Sequence, residues 1–207
     1  GTLGLWEVDD PTRFGIVGLD DENKITQFKE KPKPAEVFSN LINAGSYIFE
    51  EDIFDYMPSG KHSLERDVFP KLAEVRQLNG MQFDGYFIDA GTRDSWNQAV
   101  SRCISELRFT KGAKVGNSWF SQADNLNDLM SVTKSMIGTG TSLADSIIEK
   151  STILDNTIIR NGCKIYNSLI GQNCDVGHDC VIQNTIVKNN SIIPNGTILS
   201  DCKWPID

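Results

Sequence analysis

The sequence predicts an α/β domain followed by a parallel β-helix, and two observations carry that expectation. Residues 2 to 110 alternate between apolar stretches of strand character and amphipathic stretches of helix character. From residue 146 onward, aliphatic and small residues recur in a cycle of 17. The expected domains are residues 1–110, a connector at 111–130, and the β-helix at 131–207.

In chain order, TLGLWEV, FGIVGLD, KITQFKEK and the apolar LINAGSYIF predict four strands over residues 2–8, 14–20, 24–31 and 41–49. EDIFDYM (51–57) and SLERDVFPKLAEV (63–75) predict helices, the second with Ser63 as N-cap and acidic residues in its first turn. MQFDGYFID (81–89) predicts a strand. RDSWNQAVSRCISELRF (93–109) predicts a helix whose apolar residues Trp96, Ala99, Val100, Cys103, Ile104 and Leu107 follow helical spacing. Residues 111–130, rich in Lys, Gly, Asn and Ser, read as a linking segment.

The last third is a repeat. Ile148, Ile153, Ile159, Ile165, Ile170, Val176, Ile182, Val187, Ile193 and Leu199 are spaced 5, 6 and 6 residues apart, three times over without a gap. Two positions earlier stand Ser146, Ser151, Thr157, Cys163, Ser168, Cys174, Cys180, Thr185, Ser191 and Thr197, all small. One position earlier again, Asp, Asn or Gly dominates, with Lys150 the exception. Three short strands per coil, each ended by a corner, make a triangular prism with one aliphatic row on each face. Asp, Asn and Gly tolerate the left-handed backbone that tight corners require. Side chains two residues apart in a strand point the same way, so the small register also faces inward, near a corner where little else fits. Successive coils stack about 4.8 Å apart.

That register decides the meaning of CDVGHDC (174–180), which in isolation resembles a zinc site. Cys163, Cys174 and Cys180 are register-mates of Ser and Thr, and Cys202 lies two before Trp204 in the same register. They are expected to fill the core as small hydrophobes, with His178 exposed on a flank. Cys103 belongs to a helical stretch. Five thiols, no signal-peptide pattern and no long apolar run predict a soluble cytoplasmic protein.

Net charge is −8, about −7 of it before residue 131 and −1 after. Such a balance argues against nucleic acid or an anionic membrane as partner. An anionic small molecule remains compatible where a local cation or divalent metal offsets the charge.

Three motifs in the first half carry chemistry. FKEKP (28–32) sets an acid and a base at a strand end before a proline turn. NAGSYIF (43–49) places an amide inside an apolar strand, where structure or ligand must satisfy it. GYFIDAGT (85–92) ends in Asp before a Gly-Thr turn and a helix, a position where α/β sheets bind ligands. On these residues alone a solvated hairpin and a helix N-terminal acid stay open.

Taken in order, DPTRFGIV, FKEKP, NAGSYIF, SLERDVFP and GYFIDAGTRDSW followed by the hexapeptide-like repeat resemble the sugar-nucleotide pyrophosphorylases, nearest to the mannose-1-phosphate guanylyltransferases and glucose-1-phosphate nucleotidyltransferases. The resemblance covers essentially the whole chain. It implies part of a Rossmann-like nucleotidyltransferase domain and a left-handed parallel β-helix. It also implies that Gly15 brings backbone close to the sugar phosphate, that Glu30 and Asn43 bind the sugar, that Lys31 binds the phosphate and that Asp89 binds Mg²⁺. The implied reaction joins a sugar-1-phosphate to a nucleoside triphosphate and releases pyrophosphate. Arg93 stands where the family usually carries proline. The family's glycine-rich nucleotide loop, of the type GGxGTRLxP, and its first metal-binding Asp do not occur in these residues. The expectation is a chain that begins midway through the catalytic domain, takes a nucleoside triphosphate only with the missing N-terminal half, and is inactive alone. A homo-oligomer through the β-helix is also expected.

Two other classes stand beside this reading. One is a non-catalytic pyrophosphorylase-like regulatory or assembly subunit, against which Lys31 and Asp89 lean. The other is a hexapeptide acyltransferase or γ-type carbonic anhydrase. The latter needs three His around zinc, whereas this chain has two His in all, and His62 lies outside the repeat.

Overall fold

The computed structural model describes residues 1–122 and 131–205. The chain forms two compact units, Gly1–Phe87 and Ile88–Asp207.

The first unit is a five-stranded sheet: β1 (Thr2–Glu7), β2 (Gly15–Leu19), β3 (Ile25–Glu30), β4 (Leu41–Ile48) and β5 (Asn79–Gln82), in the order β3-β2-β4-β1-β5. All pairings are antiparallel except β1 with β5. Alternation turns Leu3 and Leu5 to one face, a register shift in the β2–β3 pair lets Ile25 and Phe28 join Val17 there, and Val68, Phe69, Leu72 and Leu78 complete the core. The β2–β3 hairpin turns at Asn23 (φ 60°), and the carboxylate of Asp20 accepts amides from Glu22 and Lys24 across it.

Four expectations are corrected here. Residues 51–57 are not an α-helix, because Glu51–Tyr56 forms only a 3₁₀ segment that seats Ile53 in the core. The 63–75 helix is broken in two: a π-helical turn at Leu64–Val68 and then α1 (Phe69–Glu74). Pro70 has no N–H for the carbonyl four residues back, and the Phe69 amide instead reaches Leu64, five residues back. Ser63 stands at the start of that segment without capping it. Its hydroxyl donates to Glu65 Oε2 (2.7 Å), while Asp67 Oδ2 accepts the Ser63 amide (2.8 Å). The strand expected at 81–89 lies instead at Asn79–Gln82, where it pairs with Thr2–Leu5. Beyond it Gly85 at φ 117° turns the chain away, and Phe87 stacks near Trp6 (centroids 6.2 Å).

The second unit begins with Ile88–Thr92 and α2 (Arg93–Ser105). The helix ends four residues before the expected 109. Leu107 takes a left-handed conformation (φ 54°) and is 62% exposed, although helical spacing put it on the apolar face. Val100 and Ile104 are buried with Trp119, and Trp96, Phe109 and Met136 pack against them. Within the expected connector, β6 (Ala113–Val115) and β7 (Ser118–Phe120) form a hairpin, and β7 pairs in parallel with Met136–Ile137. Residues 123–130 of that connector lie outside the described residues.

The remainder is a parallel β-helix. Its three sheets stack the columns Val132, Ile148, Ile165, Ile182, Leu199; Phe120, Ile137, Ile153, Ile170, Val187, Trp204; and Leu143, Ile159, Val176, Ile193. From Ile148 to Trp204 each inward residue sits beside the one 17 positions on, so the sequence period is the physical coil. Eight corners behave as their composition predicts, since Asn156, Gly162, Asn167, Asn173, Asp179, Asn184, Asn190 and Gly196 all have positive φ, whereas Asp145 at the start of the register does not. Lys150, the exception in composition, has the same conformation (φ 49°).

The small register does more than fit. Ser151 Oγ donates to the Glu149 carbonyl (2.8 Å) and accepts the Ser168 amide of the next coil (3.1 Å). Ser168 Oγ repeats this with Tyr166 and Thr185. Each buried hydroxyl is thereby satisfied. Cys163, Cys174 and Cys180 are buried in this register, and their thiols meet carbonyls of Gly177, Lys188 and Pro194. Burial raises the thiol pKa at Cys163 and Cys174. The His178 side chain is exposed.

Candidate functional site

Three of the residues singled out in the sequence meet at the end of the β2–β3 pair. Gly15 lies directly opposite Glu30. A Cβ at Gly15 would come within 2.6 Å of the Phe28 ring and 2.9 Å of Glu30 Oε2, so the glycine leaves room for that carboxylate. Lys31 follows in the left-handed region (φ 45°), its amide bonded to the Phe14 carbonyl (2.9 Å). Such a backbone costs a side-chain-bearing residue about 1 kcal/mol, and Pro32 beyond it restricts Lys31 further. The result aims an ammonium, 61% exposed, past a carboxylate that is only 17% exposed. Lys31 Nζ stands 3.9 Å from Glu30 Oε1.

Asn43 joins this unit through a bulge in β4. Leu5 faces Asn43 and Leu3 faces Tyr47, so β4 spends four residues where β1 spends two. Asn43 and Tyr47 are thereby brought together, and Asn43 Nδ2 donates to Tyr47 Oη (2.7 Å). Asn43 Oδ1 accepts the amide of Gly45, itself at φ 76°. Asn43 is half-buried rather than buried, and protein groups bond its amide while leaving a second hydrogen and a second lone pair for a ligand. Tyr47 Oη donates onward to Glu65 Oε1 (3.3 Å), whose other oxygen accepts from Ser63 (2.7 Å).

The two carboxylates are tuned apart. Burial pushes the Glu30 carboxyl above its ordinary value, with Lys31 opposing and the charge of Glu65 adding to the rise. Burial acts on Glu65 too, but hydrogen bonds from Ser63, its own backbone and Tyr47 outweigh it and hold that carboxyl low. Burial raises the Tyr47 phenol, keeping it a donor. Tyr47 and Glu65 were not singled out as site residues in the sequence, although both lie within quoted motifs. The available signal was an unexplained polar residue in each: Tyr47 four after Asn43, and Glu65 two after Ser63.

Asp89 belongs to the second unit. Its Oδ1 accepts the Gly91 amide (3.1 Å), and Thr92 then caps α2 in a reciprocal pair with Ser95 (3.2 and 3.1 Å). A Cβ at Gly91 would lie 3.1 Å from Asp89 Oδ1, so the turn closes tightly around the carboxylate. A hard, exposed carboxylate oxygen suits a hard divalent cation. Among the described residues no group of three or more His, Cys, Asp and Glu could hold a metal ion. Asp89 fits as one ligand of an ion that, like Mg²⁺, takes the rest from water and phosphate. Among the described residues no helix is long and apolar enough to cross a membrane.

Comparison with known proteins adds to this geometry. A family model described as nucleotidyl transferase matches residues 1–106, and one described as GlmU-like, C-terminal hexapeptide matches residues 120–201. Similar proteins include the mannose-1-phosphate guanylyltransferase catalytic subunit beta of Drosophila pseudoobscura pseudoobscura, 33% identical over 115 residues, which are 56% of this chain and 30% of that protein. A bifunctional protein GlmU of Methanococcus aeolicus is 33% identical over 121 residues, 56% of this chain and 29% of its own length. A probable mannose-1-phosphate guanylyltransferase 1 of Oryza sativa subsp. japonica is 29% identical over 148 residues, 70% of this chain and 39% of its own. The chain thus spans about a third of the length of these relatives.

Proposed function

Because the chain belongs to the nucleotidyl transferase family, we propose that it supplies the sugar-phosphate half of a sugar-1-phosphate nucleotidyltransferase together with that enzyme's β-helix. In this reading residues 1–110 receive the sugar-1-phosphate and residues 131–207 form the β-helix that joins copies of the protein. An oxygen of the sugar phosphate attacks the α-phosphorus of a nucleoside triphosphate. A new P–O bond forms as the bond to the β-phosphate breaks, and pyrophosphate leaves. The two relatives named as mannose-1-phosphate guanylyltransferases favour mannose-1-phosphate and GTP over glucose-1-phosphate as the pair.

The observation that carries the reading is the Glu30–Asn43–Tyr47–Glu65 array beside Lys31. Carboxylates, an amide and a phenol in one cluster offer acceptors and donors in the mixture a polyol needs. Glu30 and Glu65 accept from sugar hydroxyls, and the spare Asn43 N–H donates to one. Lys31 meets the phosphate as a point charge. Gly15 keeps side-chain bulk away from the carboxylate. Asp89 would hold a divalent cation, Mg²⁺ in this reading, which when bound supplies charge neutralisation at the phosphates. In this reading the glycine-rich cradle for the triphosphate is supplied by a nucleotide-binding segment outside these 207 residues.

The test compares the 207-residue chain with a protein that also contains the nucleotide-binding half. The chain alone is expected to form no nucleoside-diphosphate sugar from GTP and mannose-1-phosphate, and the complete protein to form it. In the complete protein Lys31→Met should raise KM for the sugar phosphate about 10- to 100-fold, the worth of a charged hydrogen bond, with kcat little changed. Asp89→Asn should lower kcat about a hundredfold or more. Robust synthesis by the chain alone, or parental turnover in Asp89→Asn, sinks the reading.

A further inference from the structure

The start of α2 is fastened to one corner of the β-helix. That corner is the column Lys150, Asn167, Asn184, spaced by 17 residues with φ of 49°, 43° and 51°. Arg93 donates from Nη1 to the Asn184 carbonyl, while its Nε and Nη2 both bond Asp94 Oδ1 (2.9 and 2.7 Å). The same Asp94 oxygen accepts from Asn167 Nδ2 (3.3 Å). Asn97 donates to the Lys150 carbonyl (3.0 Å) and to Asn167 Oδ1 (3.2 Å), and Trp96 Nε1 to Thr152 Oγ1 (3.2 Å). Residues 93, 94, 96 and 97 form one helical face, and they engage three successive coils.

The Arg93 side chain is 21% exposed, against 42–58% for the other arginines seen in ion pairs. Its fork is used at both ends, to the coil and to its neighbour. On the other side, Asp89 is four residues away through a turn closed by the Asp89–Gly91 bond and the Thr92–Ser95 cap. Little rotational freedom separates the guanidinium from the carboxylate.

From this we infer that Arg93 is a positioning residue for Asp89. It pins the first turn of α2 to Asn184, and the capping turn passes that placement to the carboxylate, so the β-helix itself sets the geometry of the metal ligand. The inference rests on Asp89 being that ligand. Partners that orient a metal ligand act on metal affinity rather than on the remote half of the substrate. Lysine keeps the charge at this position but not the fork. Proline is compatible with the first helical position and leaves the helix start intact, while removing the link.

The test uses the complete protein with Arg93→Pro, Arg93→Lys and Asp89→Asn, and Mn²⁺ as the probe ion. In Arg93→Pro the half-saturating Mn²⁺ concentration, read by the EPR signal of free ion and by activation, is expected to rise about tenfold. Amide exchange at Gly91–Trp96 should accelerate while exchange at Ile165 and Ile182 stays parental. KM for the sugar phosphate should not move, and Arg93→Lys should recover part of the Mn²⁺ affinity. Parental Mn²⁺ affinity in a folded Arg93→Pro protein overturns the inference, as does a change confined to KM for the sugar. If Asp89→Asn weakens Mn²⁺ binding and Arg93→Pro does not, the inference alone fails. If Asp89→Asn leaves Mn²⁺ binding parental, the metal reading fails and takes the inference with it.

Discussion

At Glu30, loss of solvent raises the carboxyl pKa even though Lys31 Nζ stands 3.9 Å away. The folded protein therefore holds this proton more tightly than the unfolded chain does. Its stability falls as pH rises through the folded pKa, and the effect disappears well below the unfolded one. Glu30→Gln is accordingly expected to raise Tm at about pH 7 relative to the parent, with the gain shrinking towards about pH 4. Thermal melts at both pH values check this, and a gain that does not depend on pH counts against it. The Lys31 ammonium, 61% exposed and 3.9 Å away, adds little that the substitution would lose. At Lys150 the strain is in the backbone. A lysine at φ 49° gives up about 1 kcal/mol that glycine would not. Lys150→Gly should therefore stabilise by up to about 1 kcal/mol, with Asn97 still bonded to the carbonyl at that position. Denaturant unfolding reads it, and a destabilised variant would refute the strain argument.

Each coil of the β-helix repeats one physical solution: aliphatic inside, small polar beside it, left-handed corner after. Thr157 Oγ1 donates to the Gly171 carbonyl at 2.8 Å, and Cys180 Sγ makes the equivalent contact to Pro194 at 3.2 Å. Serine at Cys174 and Cys180 can make the shorter bond from the same place. The double substitution is expected to cost less than about 1 kcal/mol. Ile182→Ala, in a column with no space to collapse into, should cost about 2–5 kcal/mol. Urea midpoints of the two variants separate the cases. A double-serine protein as unstable as Ile182→Ala would show that the thiols do more than fill the register. In the first unit the elements are longer but less regular, because Pro70 and the β4 bulge interrupt them. The bulge is also what joins Asn43 to Tyr47.

Across the whole β-helix, the outward rows are not uniformly polar. Ile192 and Ile198 are each 74% exposed, and Ile147 and Ile158 are 43% and 40% exposed. Charged residues interrupt each column, Asp175 between Ile158 and Ile192 and Lys164 between Ile147 and Ile198, which leaves Ile192 and Ile198 at the last coil as the aliphatic surface a second copy would cover. The expected state is a dimer or higher oligomer joined through residues 131–207. Substituting Ile192→Glu and Ile198→Glu together should shift it towards monomer in sedimentation. A monomer at micromolar concentration before any substitution would sink this expectation.

The β-helix could be read from the sequence because its contacts are periodic. Every inward residue from Ile148 on meets its counterpart 17 positions away, so one local rule, repeated, specifies the register, the corners and the burial of Cys163, Cys174 and Cys180. The strand ends carrying Gly15, Glu30 and Lys31 were legible for a similar reason, since a hairpin pairs near neighbours. What tertiary structure alone decided lies between elements that no period connects. Tyr47 meets Glu65 across 18 residues, and Arg93 meets Asn184 across 91. Phe83 to Asp89 has strand-like composition, yet it is not a strand, because only Asn79–Gln82 finds β1 beside it and Gly85 then turns the chain. Composition states which contacts a residue can make. Which of them it does make depends on the partner that folding brings alongside.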